Sequence, residues 1–181
     1  MPVRIAVLAV VGACGLAITG GIQATPEHRD VLCLVSEMRL SVGARWSEAT
    51  GQNTATVVVT NPSDGPCVLR GYPTIILLDR AGDSLPFTYS HRGDQMITAN
   101  RPSEVRIREG RAAYFAFNKY RCDIHATAVA ATLRVALPGS DVFRSVRLPH
   151  YPIIDLCNER PSRIVTVSPI EPKLGGAAAH R

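Results

Sequence analysis

From Cys33 to Ser168 apolar and polar residues alternate with a period of two, and clusters of Gly, Pro, Asn and Asp cut the alternation into short runs. A period of two sends successive side chains to opposite faces of a strand, so a chain with this rhythm buries its apolar residues by stacking sheets. Met38, Leu40 and Val42 alternate with Arg39 and Ser41, Val57 and Val59 alternate with Thr56 and Thr60, and Asn61-Pro62-Ser63-Asp64-Gly65-Pro66 turns the chain after them. Thr74–Leu78 reads as a central strand, Ala81-Gly82-Asp83 turns it toward residues 85–89, and residues 91–102 read as a polar loop. Val105 and Ile107 then face away from Arg106 and Arg108, Glu109-Gly110 turns, and Ala113, Phe115 and Phe117 share a face. Leu133, Val135 and Leu137 form another strand, Pro138-Gly139-Ser140-Asp141 turns it into residues 142–148, and Ile164, Thr166 and Ser168 alternate with Val165 and Val167. Eight or nine short strands with no helical stripe longer than two turns predict an all-β, antiparallel β-sandwich. The 181 residues suit one domain, and 46% apolar with 19% charged residues is a globular composition rather than a disordered one.

The two ends read differently. Residues 1–24 place Arg4 before an apolar run over 5–18, then Gly20-Gly21 and Ala24, the order of a signal peptide. As a helix that run spans roughly 21 Å, short of the ~30 Å hydrocarbon core, so export is the expectation rather than a membrane span. Val11-Gly12-Ala13-Cys14 partly matches a lipobox, so Cys14 is either a lipidation site or is discarded with the leader. Residues 25–32 read as a linker, 33–171 as the β-sandwich domain, and 172–181, rich in Gly and Ala, as a disordered tail. The remaining cysteines, Cys33, Cys67, Cys122 and Cys157, are even in number in an exported chain and imply two disulfides from three connectivities. Cys33 begins one strand and Cys67 follows the next, so a hairpin brings them together; Cys122 and Cys157 bracket later strands in the same way. Cys33–Cys67 and Cys122–Cys157 are therefore the expected bridges.

The formal charge is +5, and all but two of the 20 basic side chains, Lys119 and Lys173, are Arg. A surplus this small, without a dense basic stripe interleaved with aromatics, gives no reason to expect nucleic acid as a partner. No catalytic residues are assigned: His28, His91, His125, His150 and His180 are scattered, and no Gly-x-Ser-x-Gly elbow occurs. Neither a Cys-x-x-Cys nor a pair of His at ligand spacing occurs, so no metal or other cofactor is expected. Arg92-Gly93-Asp94 spells an adhesion tripeptide, which we read as coincidence, and Trp46 lacks the core-strand neighbours of an antibody-type Trp. One surface stands out. Arg101, Arg106, Arg108 and Arg111 fall close together, and alternation sends Arg106 and Arg108 to one side as a contact site for anionic envelope material, opposed locally by Glu104 and Glu109.

The residues Val58-Val59-Thr60-Asn61-Pro62, Pro66-Cys67-Val68-Leu69-Arg70-Gly71-Tyr72-Pro73, Arg108-Glu109-Gly110-Arg111-Ala112-Ala113-Tyr114-Phe115, Cys122, Asp155-Leu156-Cys157 and Val167-Ser168-Pro169-Ile170 together resemble the exported actinobacterial family called domain of unknown function 4232. The resemblance runs from Cys33 to Ile170 and implies an immunoglobulin-like β-sandwich on the outer side of the cytoplasmic membrane, secreted or held in the cell envelope, with no assigned activity. Within the Cys-x-Leu-x-Gly-Tyr-Pro element, Gly71 permits a close approach, Pro73 fixes entry to the next strand, and Tyr72 offers a ring to pack and a hydroxyl to bond. The expected role is a non-catalytic binding or structural module whose partner is an envelope or extracellular component, with membrane contact only through a lipid on Cys14. Its rivals are a secreted inhibitor presenting the loop 91–101 and an extracytoplasmic hydrolase.

Overall fold

A computed structural model describes residues 31–43, 51–123, 125–149, 154–158 and 162–179. The expected signal segment with Cys14, most of the linker, Trp46 and the last two residues lie outside the described residues. Among the described residues are twelve strands: β1 (Arg39–Val42), β2 (Gln52–Thr60), β3 (Cys67–Arg70), β4 (Thr74–Leu78), β5 (Thr88–Ser90), β6 (Glu104–Ile107), β7 (Ala112–Tyr120), β8 (Ala128–Val129), β9 (Thr132–Ala136), β10 (Arg144–Arg147), β11 (Asp155–Leu156) and β12 (Ile164–Val167). The count exceeds the expected eight or nine partly because β8 and β11, two residues each, are too short to show alternation.

The strands build an all-β, sandwich-like structure. One sheet has the order β1-β2-β7-β12-β5, with β12 and β5 parallel and its other pairs antiparallel. Facing it are a three-stranded sheet, β10-β9-β4, and the pairs β3-β6 and β11-β8. The core between them follows the alternation: Val57, Val59, Phe115, Phe117, Val165 and Val167 meet Leu69, Leu77, Val105, Ile107, Leu133 and Val135. Arg144 ties the layers at one edge, its guanidinium donating to the carbonyls of Ser36 and Met38.

Cys33 is bonded to Cys67 and Cys122 to Cys157, with Cα–Cα distances of 4.9 and 5.8 Å. The pairing is the expected one, but the first bridge arises by another route. Cys67 opens β3, which belongs to a different sheet from β1 and β2, and the segment around Cys33 runs parallel to β3 through the Leu32–Val68 bridge. Closing loops of about 35 residues removes roughly 3.8 kcal/mol of unfolded-chain entropy per bridge in the loop-closure description.

The loop expected over 91–102 is found but is not solvated throughout, and the disordered tail expected over 172–181 is corrected. Residues 91–102 contain no regular strand, yet Met96, Ile97 and Thr98 are buried, and the supposed tail forms a 3-10 helix, Leu174–Ala177, with Ala177 fully buried. The two segments hold each other: Thr98 N–H donates to Ala177 O at 3.2 Å and Ala179 N–H to Met96 O at 3.0 Å, while Glu171 exchanges backbone bonds with Tyr114 of β7. Met96, Ile97, Ala116 and Ala177 form a small second core on the side of the five-stranded sheet away from the main one. The physical reason is that this side of β2 and β7, with Gln52, Thr54, Thr56, Ala116 and Asn118, is not solvated and must be covered.

Candidate functional site

β3 and β6 pair through Cys67↔Ile107, Val68↔Arg106, Leu69↔Val105 and Arg70↔Glu104. Paired residues share a face, so the inward side carries Cys67, Leu69, Val105 and Ile107, all buried. The outward side carries Val68, Arg70, Glu104 and Arg106, and of these only Val68 is buried. Arg108, one residue beyond the strand, is exposed as well. The alternation that separates Val105 and Ile107 from Arg106 is therefore present in three dimensions, and β3 adds Arg70, which sequence reasoning did not place on this face. Glu104 is the one acid in the paired stretch. On the far side of β3 the parallel bridge aligns Leu32 with Val68, so the bridged residue Leu32, Val68 of β3 and Arg106 of β6 form one row.

Other clusters of polar side chains serve the scaffold. Lys119 lies two residues beyond Phe117 on the core-facing side of β7, and its side chain is wholly buried. Its ammonium donates to the backbone carbonyl of Asp155 and, at 2.6 Å, to the Asp155 carboxylate, whose other oxygen accepts the Cys122 N–H at 3.1 Å. The ion pair thus sits against the second disulfide, with Lys119 Nζ 3.9 Å from Cys122 Sγ. The signal for it in the sequence was a lysine continuing an apolar face, in a chain that otherwise uses arginine.

On the opposite side of β7, the Asn118 amide donates to Gln52 Oε1 and to Asp94 Oδ2, and its carbonyl oxygen accepts from Thr54 Oγ1 at 2.8 Å. Asp94 Oδ1 accepts the N–H groups of Met96 and Ile97 at 2.7 and 2.8 Å. The carboxylate of the Arg-Gly-Asp tripeptide is thereby committed to folding its own loop. Gly93 adopts φ +71° with Ala99 backbone 2.9 Å from where a Cβ would sit, so the turn admits only glycine.

Tyr72 explains part of the Gly-Tyr-Pro element. Its ring stacks on His91 with centroids 4.0 Å apart, and its hydroxyl lies 3.3 Å from Asn100 O and 3.5 Å from His91 O, spanning both ends of the loop. Burial holds the His91 imidazole below its ordinary pKa. Gly71 has φ +132°, and a Cβ there would come within 3.2 Å of Pro138. His91 and His125 lie among the described residues; no group of three His, Cys, Asp or Glu there could hold a metal ion.

A cavity of about 1370 Å³ forms an open groove lined by Asp79, Arg80, Ala128, Ala130, Arg147 and Leu148 among others. The Asp79 carboxylate that borders it is occupied by the N–H groups of Ala81 and Asp83 in a local turn. No helix among the described residues is long and apolar enough to cross a membrane. No curated protein and no solved structure matches the chain. A family profile covers residues 33–171, which takes in both disulfides, both faces of β7 and the β3-β6 pair. The chain belongs to the family described as a domain of unknown function, DUF4232.

Proposed function

We propose that the protein is an exported, non-catalytic binding module of the cell envelope, and that the outward side of the β3-β6 pair is its contact surface for anionic material. Two disulfides suit an oxidising compartment outside the cytoplasm, in keeping with the leader-like residues 1–24. The observation that carries the contact surface is the exposure of Arg70, Arg106 and Arg108 around two paired strands whose reverse side is core. A cationic patch on a rigid sheet recognises anions by charge, so its affinity falls with salt.

The test is binding of the purified protein to isolated cell envelope. Binding should weaken as the screening length shrinks from ~10 Å at 0.1 M salt to ~3 Å at 1 M. The double variant Arg106→Ala, Arg108→Ala should bind less at low salt while still showing a cooperative thermal transition. Equal binding by variant and parent overturns the reading.

A further inference from the structure

We infer that the anionic material met by this face is a lipid bilayer, and that Val31, Leu32 and Leu34 enter its interface while the arginines lie at headgroup level. The inference rests on the contact surface proposed above and goes beyond it in naming the partner. Val31, Leu32 and Leu34 are 67%, 57% and 49% exposed, three large apolar side chains within four residues. Leu32 is joined to the arginine face by strand pairing, because it stands beside Val68 and Val68 stands beside Arg106. The β9–β10 turn rises next to it, with Leu32 Cδ1 4.0 Å from the position of a Cβ on Gly139, and the chain following that turn carries Val142, 59% exposed.

Three arguments select a bilayer. A hydrated polyanion would satisfy the arginines but leave the leucines in water, whereas an anionic interface takes both, as it does for amphipathic surfaces that seat apolar groups ~5–10 Å deep. A second copy docked by two-fold symmetry would bring Arg70, Arg106 and Arg108 toward their own equivalents, which like-charge repulsion opposes. The third argument is where the chain enters. Residues 1–30 join the described structure at Val31, so an export leader crossing the membrane, or a lipid on Cys14, leads into the domain at this end.

The experiment uses the exported protein without its leader and two vesicle preparations, phosphatidylcholine alone and phosphatidylcholine mixed with phosphatidylglycerol, scored by co-sedimentation. All variants share the same processed N-terminus, so any contribution of that segment is constant. The parent should bind the mixed vesicles and not the neutral ones. Arg106→Ala with Arg108→Ala should cost roughly 25-fold, taking about one kcal/mol per arginine near an anionic surface. Leu32→Ser with Leu34→Ser should cost about tenfold or more, because partial burial of two leucines is lost. Val31→Ser, at the most exposed of the three positions, should weaken binding in the same direction without touching internal packing. Vesicle binding unchanged by all the serine variants overturns the bilayer inference. So does binding to dextran sulfate that matches vesicle binding and ignores the leucines, and so does a serine variant whose only effect is loss of self-association in sedimentation velocity. In each of these cases envelope binding that still depends on Arg106 and Arg108 leaves the proposed function standing, whereas arginine-independent envelope binding removes that reading instead.

Discussion

The two sides of the β2-β7 pair are both buried, and they are buried by different means. On one side Ala55↔Phe117, Val57↔Phe115 and Val59↔Ala113 pack hydrocarbon against the facing sheets. On the other, Thr54↔Asn118 and Thr56↔Ala116 lie under the 91–100 segment and the 3-10 helix. An apolar side needs only to be kept from water, and many side-chain combinations do that. A polar side needs a partner for each donor and acceptor, so its cover must match it group by group. The cover here is an irregular loop clamped by Tyr72 at both ends and pinned by Asp94 in the middle. Buried polar residues therefore account for the ordering of two segments that no strand pattern announces.

The largest expected effect lies where the apolar side ends in a charge. Lys119→Met leaves the Asp155 carboxylate without its ammonium partner in a nearly dry site, and loss of about 3 kcal/mol follows from breaking a buried pair on one side only. The check is the urea midpoint at unchanged slope. A loss below about 1 kcal/mol would mean that water reaches the pair, and that this end of the core resembles the polar side after all. On the polar side, Asp94→Ala removes acceptors from Met96 N–H, Ile97 N–H and the Asn118 amide, and should cost about 2 kcal/mol. Hydrogen exchange should show the loss concentrated in residues 94–98 and in the 3-10 helix, since these cover each other. Uniform loss across β7 would break the idea of a separately organised cover.

How much of this could be read from the sequence follows the same division. Val57, Val59, Phe115 and Phe117 declared their side through alternation, and Arg106 declared its own through the buried neighbours Val105 and Ile107. Gln52, Thr54 and Asn118 were illegible, because a polar residue opposite an apolar one is the normal sign of a solvated side. Their cover was illegible for the same reason: residues 91–102 are polar, and the Gly- and Ala-rich end carries no periodicity. Leu32 was assigned to a linker, although the bridge to Val68 makes it an edge of the β3 row, because a single bridged residue leaves no pattern to detect. The cysteine pairing was legible despite an incorrect route, since proximity along the chain favours the same bonds whether or not a hairpin joins them.

A smaller effect of opposite sign sharpens the comparison. Among the described residues, the buried side-chain polar atom without a hydrogen-bond partner is Thr56 Oγ1, on the covered polar side opposite Ala116. Replacing a buried, unpartnered hydroxyl with a methyl of similar size removes a desolvation cost and leaves packing intact. Thr56→Val should therefore stabilise the protein by about 1 kcal/mol, read as a higher urea midpoint. Destabilisation would show that the hydroxyl holds a water there and that the polar side is wetter than its protein contacts indicate.

The smallest effect is a pH dependence at the edge of the cover. Burial lowers the His91 pKa below the ordinary value of about 6.5, so the folded protein resists protonation that the unfolded chain accepts. The unfolded state then binds more protons in the window between the lowered pKa and the ordinary one, and stability rises with pH across it. This contribution is complete above the ordinary value, is lost as pH falls through the window, and changes no further below the folded pKa. His91 is exposed on one side, so solvent screens the effect and the slope is shallow. Carboxylates elsewhere can add their own acid dependence, so the measurement is a difference: urea midpoints of parent and His91→Phe at pH 7.5 and 5.5. Phenylalanine keeps a ring against Tyr72 at the start of the loop and removes the titration, so the variant should lose less stability on acidification than the parent. An equal loss in both would show that the imidazole stays solvated in the folded protein, and that the cover over the polar side begins further along the loop, at Asp94.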